Sequence, residues 1–107
     1  ARNYLDAAGY GGDKAIFAYG STAVTNLSNL VSNSGVVATD TTGVGTSRYG
    51  AGSCSYGGDK AAFAYGKAAS NTAVKNLVTN AGVVGTDVAG VGTARRDLAG
   101  AGFSSSA

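Results

Sequence analysis

The feature that most constrains the fold is an eleven-residue segment that occurs twice. Residues 10–20 read YGGDKAIFAYG, and residues 56–66 repeat them with a single difference. The likeness continues downstream, where residues 29–46 correspond to residues 76–93. Repetition at a period of 20 to 50 residues is typical of tandem arrays. The fold must therefore be argued for one repeat and then for the contact between repeats.

The repeat period is 46 residues before the segment 67–71 and 47 residues after it. An extra residue at that point indicates an exposed loop. The alignment divides the chain into a first repeat, 1–47, a second repeat, 48–94, and a partial third copy with a Ser-rich tail, 95–107. We predict that the third copy repeats only the first strand of the unit.

Composition favours strands. The chain contains 18 Gly among 107 residues and has neither Pro nor Glu, and no window keeps a helical apolar period. Each repeat is predicted to form four strands, a to d, and in the first repeat these are 4–10, 14–19, 25–32 and 36–39. The Gly-Gly-Asp at 11–13 suits the turn between strands a and b.

The pattern within each repeat is typical of a propeller blade. Strand b is apolar on both faces, which predicts cover on both sides. Strand a is built from small residues, as crowding near a central axis requires, and strand d is polar like an outer edge. We predict an all-β fold with two four-stranded antiparallel β-propeller blades per chain. A β-solenoid is the alternative, but the irregular spacing of turns argues against it.

Two blades cannot close a ring, and they would leave apolar faces in water. We therefore expect copies of the chain to associate head to tail. Three copies would give a six-bladed ring, so a homotrimer is favoured over two or four copies. The extra copy of strand a, at 95–103, is predicted to close the ring by strand exchange, in which either residues 2–10 of the next copy or the extra copy itself is displaced.

The segment that begins at Arg48 resembles a kelch-type repeat. The order of Arg, a small-residue strand and the apolar strand 60–66 matches that motif, although Tyr65-Gly66 replaces its Gly pair and its Trp is missing. Residues 10–20 and 29–46 are also similar to repeats in tail-associated proteins of marine cyanobacterial phages. The resemblance implies a propeller, a location in the virion and, by analogy, receptor binding.

Two sets of side chains are candidates for a functional role. Tyr19, Tyr65, Asp13 and Asp59 could bind a glycan between blades, since propeller lectins use aromatic and acidic groups. Packing between blades and turn capping are the simpler explanations. The second set could join the blades through Asp–Arg pairs: Arg48, Arg95, Asp40 and Asp87.

Several functions are disfavoured by what the chain lacks. There is no His or Glu, so we expect neither an enzyme nor a metal site, and no cofactor is predicted. A net charge of +2 is too weak for nucleic acid, and no apolar run approaches the roughly 20 residues of a membrane span. Cys54 is interpreted as a small core residue. The expected partner is a second copy of the chain, with carbohydrate as the alternative.

Overall fold

The computed structural model of the chain describes residues 2–21 and 23–102, and its strands form two antiparallel sheets. The first sheet has the order β1 (Asp6–Tyr10), β2 (Lys14–Ala18) and β3 (Ser28–Val31). The second sheet has the order β4 (Gly52–Tyr56), β5 (Lys60–Ala64) and β6 (Lys75–Val78). The all-β prediction is confirmed, and among the described residues no helix is long and apolar enough to span a membrane.

The repeated Gly-Gly-Asp segment forms the turn of each first hairpin. In the first sheet Tyr10 lies opposite Lys14, so that three residues close the turn. Gly11 and Gly12 have φ angles of 65° and 86°, a region that residues with a Cβ rarely adopt. The second sheet repeats this hairpin, with Tyr56 opposite Lys60.

A fourth strand was expected in each sheet, and the structure shows a bulged outer segment instead. In the first sheet this segment meets β3 at two separate bridges, Val31 with Val37 and Ser28 with Thr41. Between the bridges, two residues of β3 face three residues of the outer segment, which is the geometry of a β-bulge. The bulge interrupts the ladder, so each regular sheet has three strands.

An Asn side chain fills the gap that the bulge leaves. Asn29 Nδ2 donates to Ala38 O at 3.2 Å and to Asp40 Oδ1 at 2.8 Å. Asn76, its equivalent in the second sheet, donates to Gly85 O and to Asp87 Oδ1, both at 3.0 Å. The side-chain amide thus supplies hydrogen bonds that a regular ladder would make with its backbone.

Each sheet has two faces that the strand register defines. The front face carries Ala15, Phe17, Asn29 and Val31 in the first sheet, and Ala61, Phe63, Asn76 and Val78 in the second. The back face carries Ile16, Ala18 and Leu30 in the first sheet, and Ala62, Ala64 and Leu77 in the second. The back face of the first sheet packs on the front face of the second sheet, and this contact is called the internal joint below.

The inner strands of the two sheets, β1 and β4, also lie side by side. Ser53 Oγ donates to Ala7 O at 2.6 Å, and Ser55 Oγ donates to Gly9 O at 2.8 Å. The small residues of both strands permit this approach of one backbone to the other. The internal joint is therefore held by hydrogen bonds at the inner strands and by apolar packing further out.

Candidate functional site

The centre of the internal joint is a fully buried apolar cluster. Ile16 and Ala18 of the first sheet meet Phe63 and Val78 of the second, and all four are at most 1% exposed. The ring of Tyr19 contacts Phe63 edge to face, with 5.5 Å between centroids. Aromatic pairs in this geometry contribute beyond their buried area.

Arg48 crosses the internal joint. Its side chain is fully buried, and Nε donates to Tyr65 O at 2.8 Å while the terminal nitrogens donate to Thr46 O at 3.1 Å and Phe63 O at 3.3 Å. Its guanidinium lies over the Tyr19 ring, 4.3 Å from the centroid. Arg48 thus binds two carbonyls of its own repeat and one of the preceding repeat, and it stacks on an aromatic ring of the preceding repeat, which stabilises a buried cation. Burial raises the pKa of Tyr19, and the charge of Arg48 opposes that shift.

The Arg residues at the two ends of the array each make part of this arrangement. Arg2 Nε donates to Tyr19 O at 2.8 Å, as Arg48 does to Tyr65 O. Arg95 lies over the Tyr65 ring, 3.9 Å from its centroid, as Arg48 lies over Tyr19. Arg2 therefore makes the contact of Arg48 with the Tyr carbonyl. Arg95 makes the stacking contact and donates to Thr93 O at 3.0 Å, as Arg48 does to Thr46 O.

The front face of the first sheet and the back face of the second repeat the surfaces of the internal joint, but they are open. Phe17 is 36% exposed, whereas its equivalent Phe63 is fully buried. On the other open face Leu77 is 37% exposed. Val36 and Val83, which lie away from the joint, are 64% and 62% exposed. Equivalent residues therefore differ strongly in burial where the joint covers one of them, whereas this pair away from the joint has nearly equal exposure.

A shallow depression marks the open front face. It has a volume of about 270 Å³ and is lined by Arg2, Leu5, Phe17, Asn29 and Val37. The counterparts of these residues in the second repeat lie in the internal joint. The depression therefore has the composition of a protein contact surface, with an apolar centre and an Arg at its rim.

The predicted glycan residues do not form one site. Tyr19 is buried under Arg48, with its hydroxyl donating to Val44 O at 3.3 Å. Tyr65 is half-buried, and its hydroxyl donates to Val91 O at 2.9 Å. Asp13 lies at the opposite end of β2 from Tyr19, and β2 itself is roughly 13 Å long at the rise of a strand.

Asp13 and Asp59 connect two turns of their own repeats. Asp13 bonds Lys14 Nζ at 2.9 Å and accepts from Asn33 Nδ2 at 3.0 Å. Asp59 makes the same contacts with Lys60 and Asn80. The lysine contact is the main cause that lowers the pKa of each carboxyl. These carboxylates hold the first hairpin turn of each repeat to the turn at Asn33 or Asn80.

The second predicted set also has different partners from those expected. Asp40 accepts from Asn29, and Asp87 accepts from Asn76 and from both the backbone N–H and the hydroxyl of Thr46, at 3.0 and 2.5 Å. In the described part of the chain neither Asp40 nor Asp87 lies in a salt bridge with Arg48 or Arg95. The Thr46 hydrogen bonds chiefly lower the pKa of Asp87. Asp87 thus ties the second sheet to the segment that enters it.

The joint also contains residues that the sequence analysis did not propose for a functional role. Phe63 and Asn76 lie in repeated segments, so the repetition is the one sequence signal that could have indicated them. Ser53 and Ser55 have no hydroxyl counterparts in the other copies, so nothing in the repeat pattern pointed to them. Cys54 is a half-buried free thiol, and the described residues contain no group of His, Cys, Asp or Glu that could hold a metal ion.

Comparison with known proteins gives no relative from which a function could be carried over. A scan against protein-family models finds no match, and neither does a search of the curated proteins. A function must therefore be argued from the joint and its two open counterparts.

Proposed function

We propose that the chain is a non-enzymatic, self-assembling β-propeller module that acts as a structural or interaction scaffold. The front face of one copy packs on the back face of the next, and three copies close a six-bladed ring. The observation that carries the proposal is the burial difference between equivalent residues, such as fully buried Phe63 and exposed Phe17.

The chemistry of the two open faces supports their pairing. The front face of the first sheet offers Phe17 beside Arg2, which corresponds to Phe63 beside Arg48. The back face of the second sheet offers Leu77 and the ring of Tyr65, which correspond to Leu30 and Tyr19. Two copies in contact would therefore reproduce the internal joint with nearly the same residue types, with Ala62 in place of Ile16. Phe17 and Leu77 are 36% and 37% exposed in the single chain, so covering the remaining surface contributes roughly 0.5–1 kcal/mol for each side chain.

Such a contact joins two different surfaces and is therefore heterologous. Heterologous contacts form rings when their rotation closes, and open filaments when it does not. The inner strands, with their small residues, would converge on the ring axis. The bulged outer segments would lie on the rim, where the polar Asn33 and Asn80 turns remain in water.

A multivalent glycan-binding module, of the kind used for receptor binding, is the second candidate. The surface that favours glycan binding is not formed by the residues that the sequence predicted for this role. Tyr4 is exposed, its ring lies 5.8 Å from that of Tyr49, and Arg96 and Asp97 complete a shallow depression of about 520 Å³. Binding on a glycan array that is lost in Tyr4→Ala without loss of fold would support this function.

The test of self-assembly uses one charge on each open face. Phe17→Asp disrupts only the front face, and Leu77→Asp disrupts only the back face. Each variant alone is expected to lose assembly, because burying an unpaired carboxylate is costly. Mixed in equal amounts, they should form a one-to-one dimer, because the intact back face of Phe17→Asp fits the intact front face of Leu77→Asp.

Native mass spectrometry measures the result. Unmodified chain should show three times the single-chain mass, and Val36→Asp serves as the matched control because Val36 is exposed but lies outside both faces. A wild-type chain that stays single at all concentrations would disprove the proposal. Assembly of each variant that equals wild type would also reject these faces.

A further inference from the structure

The third copy of the inner strand starts in line with the first two. Tyr4, Gly50 and Asp97 are equivalent positions of the three copies. Gly50 N donates to Tyr4 O at 3.2 Å, and Asp97 N donates to Gly50 O at 2.7 Å. The segment 95–102 therefore begins where the inner strand of a third sheet would begin.

The segment 95–102 stays beside β4 further along, as β4 stays beside β1. Ser53 of β4 meets Ala7 O of β1 through its hydroxyl, and a Cβ on Gly100 would lie 2.5 Å from Ser53 O. The equivalent contact recurs one pair further on, where a Cβ on Gly102 would lie 2.5 Å from Ser55 O. Only glycine permits so close an approach at these two positions. Thus β1, β4 and 95–102 form a row of three inner strands.

The third inner strand lacks the strand on which the other two depend. β1 pairs with β2, and β4 pairs with β5. Within the part of the chain that the structure describes, 95–102 has no strand partner, and all of its residues except Leu98 are exposed. An unpaired strand edge readily pairs with a strand of another chain.

The place of 95–102 conflicts with simple docking of a second copy. In the proposed assembly, the second copy's β1 would lie beside β4, as β4 lies beside β1. That position is already taken by 95–102. One of the two strands must therefore leave when two copies meet.

We propose that 95–102 keeps its place and pairs with β2 (Lys14–Ala18) of the second copy, and that the second copy's own β1 is released. The pairing uses the register of β1, so that Ala99 lies opposite Ala18 and Ala101 opposite Ile16. The proposal rests on the proposed self-assembly and adds the identity of the strand that joins the copies.

Two observations favour 95–102 over β1 in this position. Arg95 already stacks on Tyr65, and the second copy's Tyr19 carbonyl would complete the arrangement that Arg48 makes at the internal joint. Ala99 also takes the position of Asp6, a half-buried acid whose pKa burial raises to about 6, against the opposing charge of Arg48. The exchange thus removes a poorly solvated carboxyl from the blade.

Hydrogen exchange of the unmodified assembly tests which strand pairs. Assemblies and single chains are separated by size, and exchange is measured on peptides that cover 2–10 and 95–102. The assembly should exchange at 95–102 at least about tenfold more slowly than the single chain, while 2–10 becomes unprotected. Protection of 2–10 together with rapid exchange of 95–102 in the assembly would overturn the proposal and leave self-assembly intact. A chain that never assembles would instead reject the proposed function.

A pair of matched substitutions gives an independent test. Proline removes the backbone N–H that strand pairing needs, and Ala8 and Ala101 are equivalent positions. Ala101→Pro should remain folded by circular dichroism and lose assembly, whereas Ala8→Pro should still assemble. If Ala101→Pro assembles like wild type, strand exchange is wrong. If both variants lose assembly, the exchange pattern of the wild-type assembly decides.

Discussion

The internal joint and the two open faces are built from nearly the same residues and differ in what covers them. Phe63 lies under the first sheet, while Phe17 lies in a shallow depression on the surface. Arg48 combines the contacts that Arg2 and Arg95 make separately. In an array this short, the position of a repeat therefore decides the burial of its residues more than their identity does.

The same comparison separates folding from assembly. Residues of the internal joint should control the stability of a single chain. Their equivalents on the open faces should matter little for the single chain and strongly for association. Substitution of a joint residue and of its open counterpart should therefore separate the two effects.

The largest expected effect comes from Arg48→Ala. It removes three hydrogen bonds to backbone carbonyls and the cation over Tyr19, so we expect a loss of about 4–5 kcal/mol in the free energy of unfolding. Arg95→Ala, at an exposed position, should cost no more than about 1 kcal/mol. Urea denaturation at a concentration below assembly measures both, and equal losses would show that Arg48 has no special role at the joint.

The next largest effect is expected for Phe63→Ala. It should lower the free energy of unfolding by about 3–4 kcal/mol, because it opens a cavity in the buried cluster. Phe17→Ala should cost about 1 kcal/mol in the single chain. At concentrations where the protein assembles, the cost of Phe17→Ala should rise towards that of Phe63→Ala. A cost that stays constant across protein concentration would argue against the open front face as a contact surface.

The Asn residues at the bulges should show a smaller difference. Asn76 is fully buried, so Asn76→Ala is expected to cost about 2 kcal/mol by removing donors to Gly85 O and Asp87. Asn29→Ala, whose Asp40 partner is exposed, should cost about 1 kcal/mol. Thermal unfolding of both variants measures the difference, and a larger loss for Asn29→Ala would contradict the assigned burial.

The smallest expected effect concerns Asp6 and the pH dependence of the unfolding free energy. Its pKa in the folded chain is raised to about 6 from an ordinary value of 3.8, so its favourable contribution is full below pH 3.8 and is lost as pH rises through 6. Unfolding free energy should therefore fall between pH 4 and pH 7, by on the order of 1 kcal/mol after solvent screening. Asp6→Asn should flatten this part of the profile, and an unchanged slope would show that another group causes it.

Sequence repetition predicted much of the fold because each repeat carries the same local signals. The Gly-Gly-Asp turn, the strand limits near Lys14 and Lys60 and the all-β class follow from turn chemistry and apolar patterning. The outer strand did not, because a bulge depends on an Asn side chain reaching across the ladder. Strand propensity and apolar patterning do not describe a hydrogen bond from a side chain to a neighbouring segment.

The candidate site was only partly predictable for a similar reason. The repeated Arg residues were recognised as connectors, but the sequence suggested Asp partners where the structure shows backbone carbonyls and Tyr rings. Tyr19 and Asp13 are close along the chain, yet a strand separates them in space. Burial of Phe63 and exposure of Phe17 could not be distinguished, because the segments around them are nearly identical.

The hydroxyls of Ser53 and Ser55 affect how an assembly would dissociate. In the single chain their hydroxyls bond β1. When 95–102 of a neighbouring copy replaces β1, the equivalent acceptors are the carbonyls of Gly100 and Gly102, so these hydrogen bonds then join two chains. The contact between copies also has Ala62 in place of Ile16. The apolar part of the contact between copies is therefore weaker than that of the internal joint, but its hydrogen bonds are equivalent. Dilution should separate the copies slowly, because β1 must return to its own sheet as the exchanged strand leaves.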